Sequence, residues 1–261
     1  MHRMNTFIDP DEVHDRASFI RFVEALTEDL PGEEAPPALE GADVAAGVGL
    51  PPGAVVDDRR IAPIGSPVVR EPLVVARQAG VERQVVEDEV ELKALLSKLM
   101  PAKTSCAVGG SMTLFETKTL DWIRENDYHF YDRYAQGLTA EEIKDIHRKA
   151  FTVDTYLCSV NAITEKGELY NVDGSGNRVA AMIYGPDRVI VIAGTNKIVK
   201  NLDDAITRNR EVSAPANAVR LSMGTPCTVT GTCSDCKSEG RICCAYTTIA
   251  HQRIKDRIHV I

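Results

Sequence analysis

No apolar run in this chain approaches the roughly 20 residues that a membrane-spanning helix needs, so no membrane span is expected. Residues 1–15 lack an apolar core segment and turn acidic at once, which argues against a secretory signal. Basic charge is also short: 30 Lys and Arg stand against 38 Asp and Glu, giving a formal charge of −8. The basic residues are scattered among acids, so a nucleic-acid surface, which needs a concentrated basic patch, is not expected either. What remains is ordinary globular composition, 44% hydrophobic and 26% charged, in a length suited to one large domain or two small ones. The seven cysteines fit a chain kept in a reducing, cytoplasmic compartment, where clustered thiols mean metal or redox chemistry more often than disulfides.

Three regions follow along the chain. Residues 9–30 predict an amphipathic helix, capped by Asp9 and opened by Pro10, with Val13, Ala17, Ile20, Val23 and Leu26 at helical spacing. Residues 31–72 hold eight of the thirteen prolines, interspersed with glycines, and predict a linker. From residue 73 to 261 strands and helices alternate, which predicts an α/β domain: a three-layer sandwich around a mostly parallel sheet. Within it Val81–Val86, Thr104–Val108, Tyr128–Tyr131, Thr155–Val160, Val189–Ala193 and Arg257–Ile261 read as strands. One helix is expected to carry Leu114, Phe115, Leu120 and Ile123, and a capping box at Thr139 to Glu142 opens another. Asn177–Tyr184 reads as a short helix, Asn201 starts a further one, and a hairpin is expected to turn at Glu165-Lys166-Gly167.

Ligands of open parallel sheets sit outside the carboxyl ends of the strands. Three segments have that placement. The first is Gly109-Gly110-Ser111, where glycines admit a ligand to the backbone and Glu116, one helical turn on, is a candidate acid or base. The second runs from Asn171 to Arg178; Asp173 and Asn177 suit turns, and Arg178 suits a bidentate clamp on a carboxylate or phosphate. The third, Gly194 to Lys197, follows the most apolar strand and should project Asn196 and Lys197 at the sheet edge. None matches a Walker loop or a dinucleotide fingerprint, so the expected ligand is only a small organic acid or a phosphorylated molecule.

Five cysteines cluster between residues 227 and 244, spaced C-x5-C-x2-C-x6-C-C: Cys227, Cys233, Cys236, Cys243 and Cys244. A C-x2-C pair brings two thiolates to one ion and further cysteines complete a tetrathiolate, which serves an iron–sulfur cluster or zinc. Four ligands are needed and five are offered, so one of Cys243 and Cys244 is spare or redox-active. Cys106 and Cys158 read as core residues, and His129 and His147 as structural.

The segments VGGSMTLFE (108–116), NAITEKGELYNVDGSGNRVAAMIYGPDRVIVIAGTNKIV (161–199), APANAVRL (214–221) and TPCTVTGTCSDCKSEGRICC (225–244) together resemble the LUD-domain family of lactate-utilisation proteins. The resemblance is to the LutC/YkgG group, in a branch with this terminal cysteine motif, and it covers about residues 79 to 261. It implies the fold shared by glucosamine-6-phosphate deaminase, ribose-5-phosphate isomerase and CoA transferases. It also implies a part in oxidising L-lactate to pyruvate beside iron–sulfur partner proteins. The loop positions that carry over are Gly109, Gly110, Ser111, Glu116, Asn161, Asp173, Asn177, Arg178, Asn196 and Lys197. Residues 1–72 resemble nothing in the family, whose members run somewhat beyond Ile261. Two other functions stay open: a non-catalytic metal- or cluster-binding subunit docking on an oxidoreductase, and, by fold analogy, an isomerase or CoA-transferase-like enzyme.

Overall fold

The computed structural model describes residues 81–261. The helix expected over 9–30 and the linker over 31–72 lie outside the described residues, as do residues 73–80. The first half of the domain runs β1 (Val81–Arg83), α1 (Glu89–Leu99), β2 (Ser105–Val108), α2 (Met112–Glu116), α3 (Thr119–Glu125), β3 (His129–Tyr131), α4 (Ala140–Lys149) and β4 (Thr155–Cys158). The second half runs β5 (Ala162–Thr164), β6 (Leu169–Asp173), α5 (Asn177–Ile183), β7 (Arg188–Val191), β8 (Ile198–Val199), α6 (Leu202–Arg208), α7 (Ala214–Arg220), α8 (Cys227–Thr230), β9 (Ala245–Ile249) and β10 (Ile258–Val260). A 3₁₀ turn over Thr195–Lys197 precedes β8, and a π-helical turn over Asn209–Ser213 joins α6 to α7.

Six strands pair in the order β1-β10-β7-β4-β2-β3, every neighbour parallel. β4 is buried at all four positions, as an inner parallel strand covered on both faces must be. Side chains alternate across the sheet. Tyr156, Cys158, Val189 and Val191 enter one core, and Leu157, Ile190, Cys106 and Val108 enter the other. α1 packs Leu92 and Leu96 into the second core, and α5 packs Ala181 and Met182 into the first. The result is the expected three-layer α/β sandwich.

Local signals fix several boundaries. The Asp88 carboxylate accepts from the amides of Val90 and Glu91, both at 2.8 Å, and starts α1. Thr139 and Glu142 close the capping box of α4. The single helix expected after Ser111 is instead two, because Lys118 adopts a left-handed φ of 50° between α2 and α3. The expected last strand is β10, which lies between β1 and β7 and is buried throughout.

A second sheet was not legible beforehand. It has the order β8-β5-β6-β9, with β5 and β6 forming the expected hairpin. The hairpin turns at Gly167, whose φ of +93° disfavours a side chain and whose amide donates to the Thr164 carbonyl at 2.7 Å. Ala162, Tyr170, Val172 and Ala205 form its own small core under α6, with Cys243 packed against it.

Candidate functional site

Because β2, β4 and β7 are adjacent and parallel, the segments that follow them emerge on one side of the sheet. Their side chains meet there. The Lys197 ammonium donates to Thr113 Oγ1 at 2.8 Å, just past the Gly109-Gly110-Ser111 turn, and to Ser159 Oγ at 2.7 Å, just past β4. Arg208 from α6 donates to the Asn196 carbonyl at 3.0 Å and to the Asn161 carbonyl at 2.7 Å, so it ties the third loop to the link between β4 and β5. Asn161 also bonds Asn209 of the π-helical turn at 3.2 Å.

Gly109 is a glycine for a visible reason. A Cβ there would stand 2.9 Å from the Tyr156 hydroxyl and 3.2 Å from Cys158 Cβ. Gly110 is exposed, and Ser111, which precedes α2, makes no side-chain capping bond. Glu116 lies exposed at the end of α2.

Arg178 is placed differently from a ligand clamp. Its Nε donates to Asp173 Oδ1 at 3.0 Å, Nη1 to the Ser159 carbonyl at 3.1 Å, and Nη2 to Asn161 Oδ1 and the Val172 carbonyl, both at 2.9 Å. Arg178 and Asp173 are 11% and 12% exposed as side chains and form an ion pair at 2.9 Å. The other Asp173 oxygen accepts from the Val179 amide at 3.1 Å, so the first turn of α5 already has its anion. Asn177 opens that helix after Gly176. Arg178 is thus the brace that holds β4, β6 and α5 together behind the loops.

Lys197 is the cation at this edge whose partners are neutral hydroxyls. Burial first, and then the Arg208 guanidinium, bring its ammonium down to about 8, against the opposing pull of Glu116. Below it, burial pushes the Cys158 thiol up to about 12, so this sulfur stays protonated and inert.

The cysteine segment forms a separate concavity, lined by Thr225, Cys227, Cys233, Cys236, Arg241 and Cys243 among others. Cys244 faces outward, exposed, with its thiol donating to the Arg241 carbonyl at 3.3 Å. The Cys243 thiol is pushed up to about 11, first by burial and then by crowding from Cys233, with Cys227 and Cys236 adding to it. The Asp235 amide donates to Cys233 Sγ at 3.4 Å, and Asp235 takes the left-handed φ of 52° that turns the chain inside the C-x2-C pair. Four soft sulfur donors around one hollow fit zinc or an iron–sulfur centre. Among the described residues no group of three such side chains stands at metal-holding spacing, so the thiols share the hollow without yet converging on a point.

Arg241 organises this region and was not singled out from the sequence. It bonds the carbonyls of Cys236 and Cys243, Asp235 Oδ1 at 2.8 Å and the Tyr246 hydroxyl at 2.9 Å. The other residues the sequence did not single out are Thr113, Ser159 and Arg208. No motif marks a hydroxyl or an arginine that works through tertiary contact.

A family model described as LUD domain matches residues 75–261. No curated protein matches the chain. Among solved structures it is similar to a chain of the tetrameric eIF2B-beta2-delta2 complex from C. thermophilum. That likeness has 17% identity and a TM-score of 0.35, covering 67% of this chain and 55% of that one. It is also similar to eIF2B beta from Chaetomium thermophilum, with 14% identity, a TM-score of 0.30 and 44% of each chain covered. The chain spans about half the length of those structures, and likenesses of this size carry no argument about function. Among the described residues no helix is long and apolar enough to cross a membrane.

Proposed function

The chain belongs to the LUD-domain family, which is associated with lactate utilisation, and on that premise we propose that it serves the oxidation of L-lactate to pyruvate. It would bind the small organic acid at the loop edge while iron–sulfur partner proteins accept the electrons. Each lactate oxidised releases two electrons, which pass to those partners, and two protons, which pass to solvent.

The observation that carries this reading is Lys197. Its ammonium is half-buried and held by two hydroxyls that bring no negative charge. Such a group gains from an anionic guest, because burial penalises its charge and the pull of Glu116 only partly offsets that. A carboxylate or phosphate at the edge would supply that compensation. In the cysteine segment Cys227, Cys233, Cys236 and Cys243, which line one hollow, would hold the metal, with the exposed Cys244 left out. An iron–sulfur centre there would carry electrons, and zinc would clamp the loop.

Titration of the full chain with L-lactate and pyruvate across the Lys197 transition tests the reading. An anion that needs the ammonium should bind about tenfold more weakly for each pH unit above about 8. Lys197→Arg should remove that pH dependence, since a guanidinium keeps its charge throughout. Absence of binding, or an affinity that ignores pH there, overturns it.

A second reading, a subunit that binds without turning substrate over, is favoured by one fact. Lys197 has hydroxyls within hydrogen-bond reach, and no acid or base among the described residues. Lactate oxidation by the reconstituted system that is indifferent to Lys197→Ala would select it.

A further inference from the structure

We propose that Arg133 receives the ligand's carboxylate, in a site formed by its guanidinium, the exposed Gly110 and the Ser111 hydroxyl. This deepens the reading above and rests on it for the location of the site, but not for the identity of the acid.

Arg133 follows β3 and leans over the β2–α2 turn. Its Nη1 stands 3.4 Å from the point a Cβ on Gly110 would occupy, with the Tyr134 hydroxyl 3.7 Å from the same point. Its guanidinium carbon lies 5.2 Å from the Tyr134 ring centroid. That ring is fixed in turn by an edge contact with Phe115 of α2, 4.9 Å between centroids. The guanidinium is therefore positioned by aromatic packing and not by a counter-ion.

Among the described residues no carboxylate forms an ion pair with it. The acid next in sequence, Asp132, is engaged elsewhere: Arg124 Nε donates to it at 2.8 Å and the Tyr134 amide at 2.8 Å. The titratable groups that feel Arg133 are His147 of α4 and Tyr156 of β4. Burial, with Arg133 adding to it, keeps His147 toward its neutral form, and burial likewise keeps Tyr156 protonated. Arg133 Nε is buried and has no hydrogen-bond partner among the described residues. A half-buried cation among neutral neighbours, with an unused N–H, is an unfilled pair. The planar fork of an arginine matches a carboxylate in two parallel bonds.

The contrast with Arg178 decides the assignment. The sequence suggested Arg178 as the clamp, yet its donors are taken by Asp173, Ser159, Asn161 and Val172. Arg133 has the same chemistry, and its Nε has no hydrogen-bond partner among the described residues, beside a glycine that leaves room for a guest. Lys197 bonds Thr113 of α2, the helix that follows the same turn.

Calorimetric titration of the full chain with L-lactate, pyruvate, acetate and inorganic phosphate tests this, on wild type, Arg133→Gln and Arg133→Lys, with thermal unfolding of each. The expected result is that Arg133→Gln weakens every carboxylate the wild type binds by about tenfold or more. Arg133→Lys should fall between, and the melting temperature should not move. Carboxylate affinity unchanged in Arg133→Gln, binding of phosphate alone, or no carboxylate bound by the wild type overturns the assignment. Lactate binding lost in Lys197→Met but kept in Arg133→Gln defeats Arg133 and leaves the lactate reading standing. Acetate binding that depends on Arg133, with lactate and pyruvate unbound, does the reverse. Should Arg133→Gln not fold, phenylglyoxal labelling of the wild type gives the answer: the label must reach Arg133 and the bound carboxylate must block it.

Discussion

The loop edge of the large sheet and the cysteine segment are both places where polar side chains converge, and they are built in opposite ways. At the edge, β2, β4 and β7 are anchored in two cores, and one buried arginine closes the network behind them. The side chains there hold one another, and among the described residues neither Lys197 nor Arg133 forms an ion pair. In the cysteine segment the only regular structure between α7 and β9 is the four-residue α8. There Arg241, bonded to the two arms of the loop at Cys236 and Cys243, does what the sheet does elsewhere. The edge is braced by side-chain bonds between elements of the sheet; the cysteine hollow is shaped by a loop, and among the described residues its sulfurs do not gather at metal-holding spacing.

That difference is sharpest in metal content. Cys233→Ser with Cys236→Ser should abolish metal binding, a loss on the order of 10 kcal/mol of binding free energy for a structural tetrathiolate. Cys244→Ser, altering the outward thiol, should bind metal as the wild type does. Anaerobic purification followed by iron, sulfide and zinc analysis distinguishes these outcomes and tells a cluster from zinc. Loss of metal from Cys244→Ser would mean that the hollow does not define the ligand set.

The edge should fail in the other way, through stability. Arg178→Met leaves the largely buried Asp173 carboxylate without its cation and takes one donor from each of three further acceptors, of which Asn161 Oδ1 keeps the Val172 amide. Breaking a buried pair from one side costs about 3–5 kcal/mol, read as a lower midpoint in denaturant. A cost near zero would return Arg178 to solvent and to the role of ligand clamp.

The sequence showed most clearly what depends on neighbours in the chain. The capping box at Thr139, the helix start at Asn201, the hairpin at Gly167 and the apolar run of β7 are written within a few residues of themselves. The second sheet is not, because β8 has two residues and β9 joins β6 across more than seventy positions. Nothing local announces either pairing. The same limit separated Arg178 from Arg133. Asp173 lies five residues before Arg178, and only the turn of the chain between them converts a loop arginine into a brace. Arg133 carries no motif at all; its standing comes from Arg124 having taken Asp132. That Cys243 lines the hollow while the adjacent Cys244 is exposed is likewise a tertiary outcome, which the pair of cysteines left open.

The finest separation between scaffold and site runs between two consecutive glycines. At Gly109 an added methyl would press on the Tyr156 hydroxyl at 2.9 Å and on Cys158 Cβ at 3.2 Å, both on the fully covered strand β4. Neither can move without disturbing the core, so Gly109→Ala should cost about 1–3 kcal/mol by overpacking. At Gly110 the same methyl would meet only the tips of Arg133 and Tyr134, at 3.4 and 3.7 Å, an ordinary contact with side chains that can yield. Gly110→Ala should therefore unfold within about 0.5 kcal/mol of wild type. It should nonetheless weaken carboxylate binding a few-fold, because the methyl takes part of the space between Arg133 and the turn. Thermal unfolding and titration of the pair give two independent readings. A stable Gly110→Ala that binds acids as the wild type does would show that no ligand approaches the turn, and Gly110 would then belong with Gly109 to the scaffold.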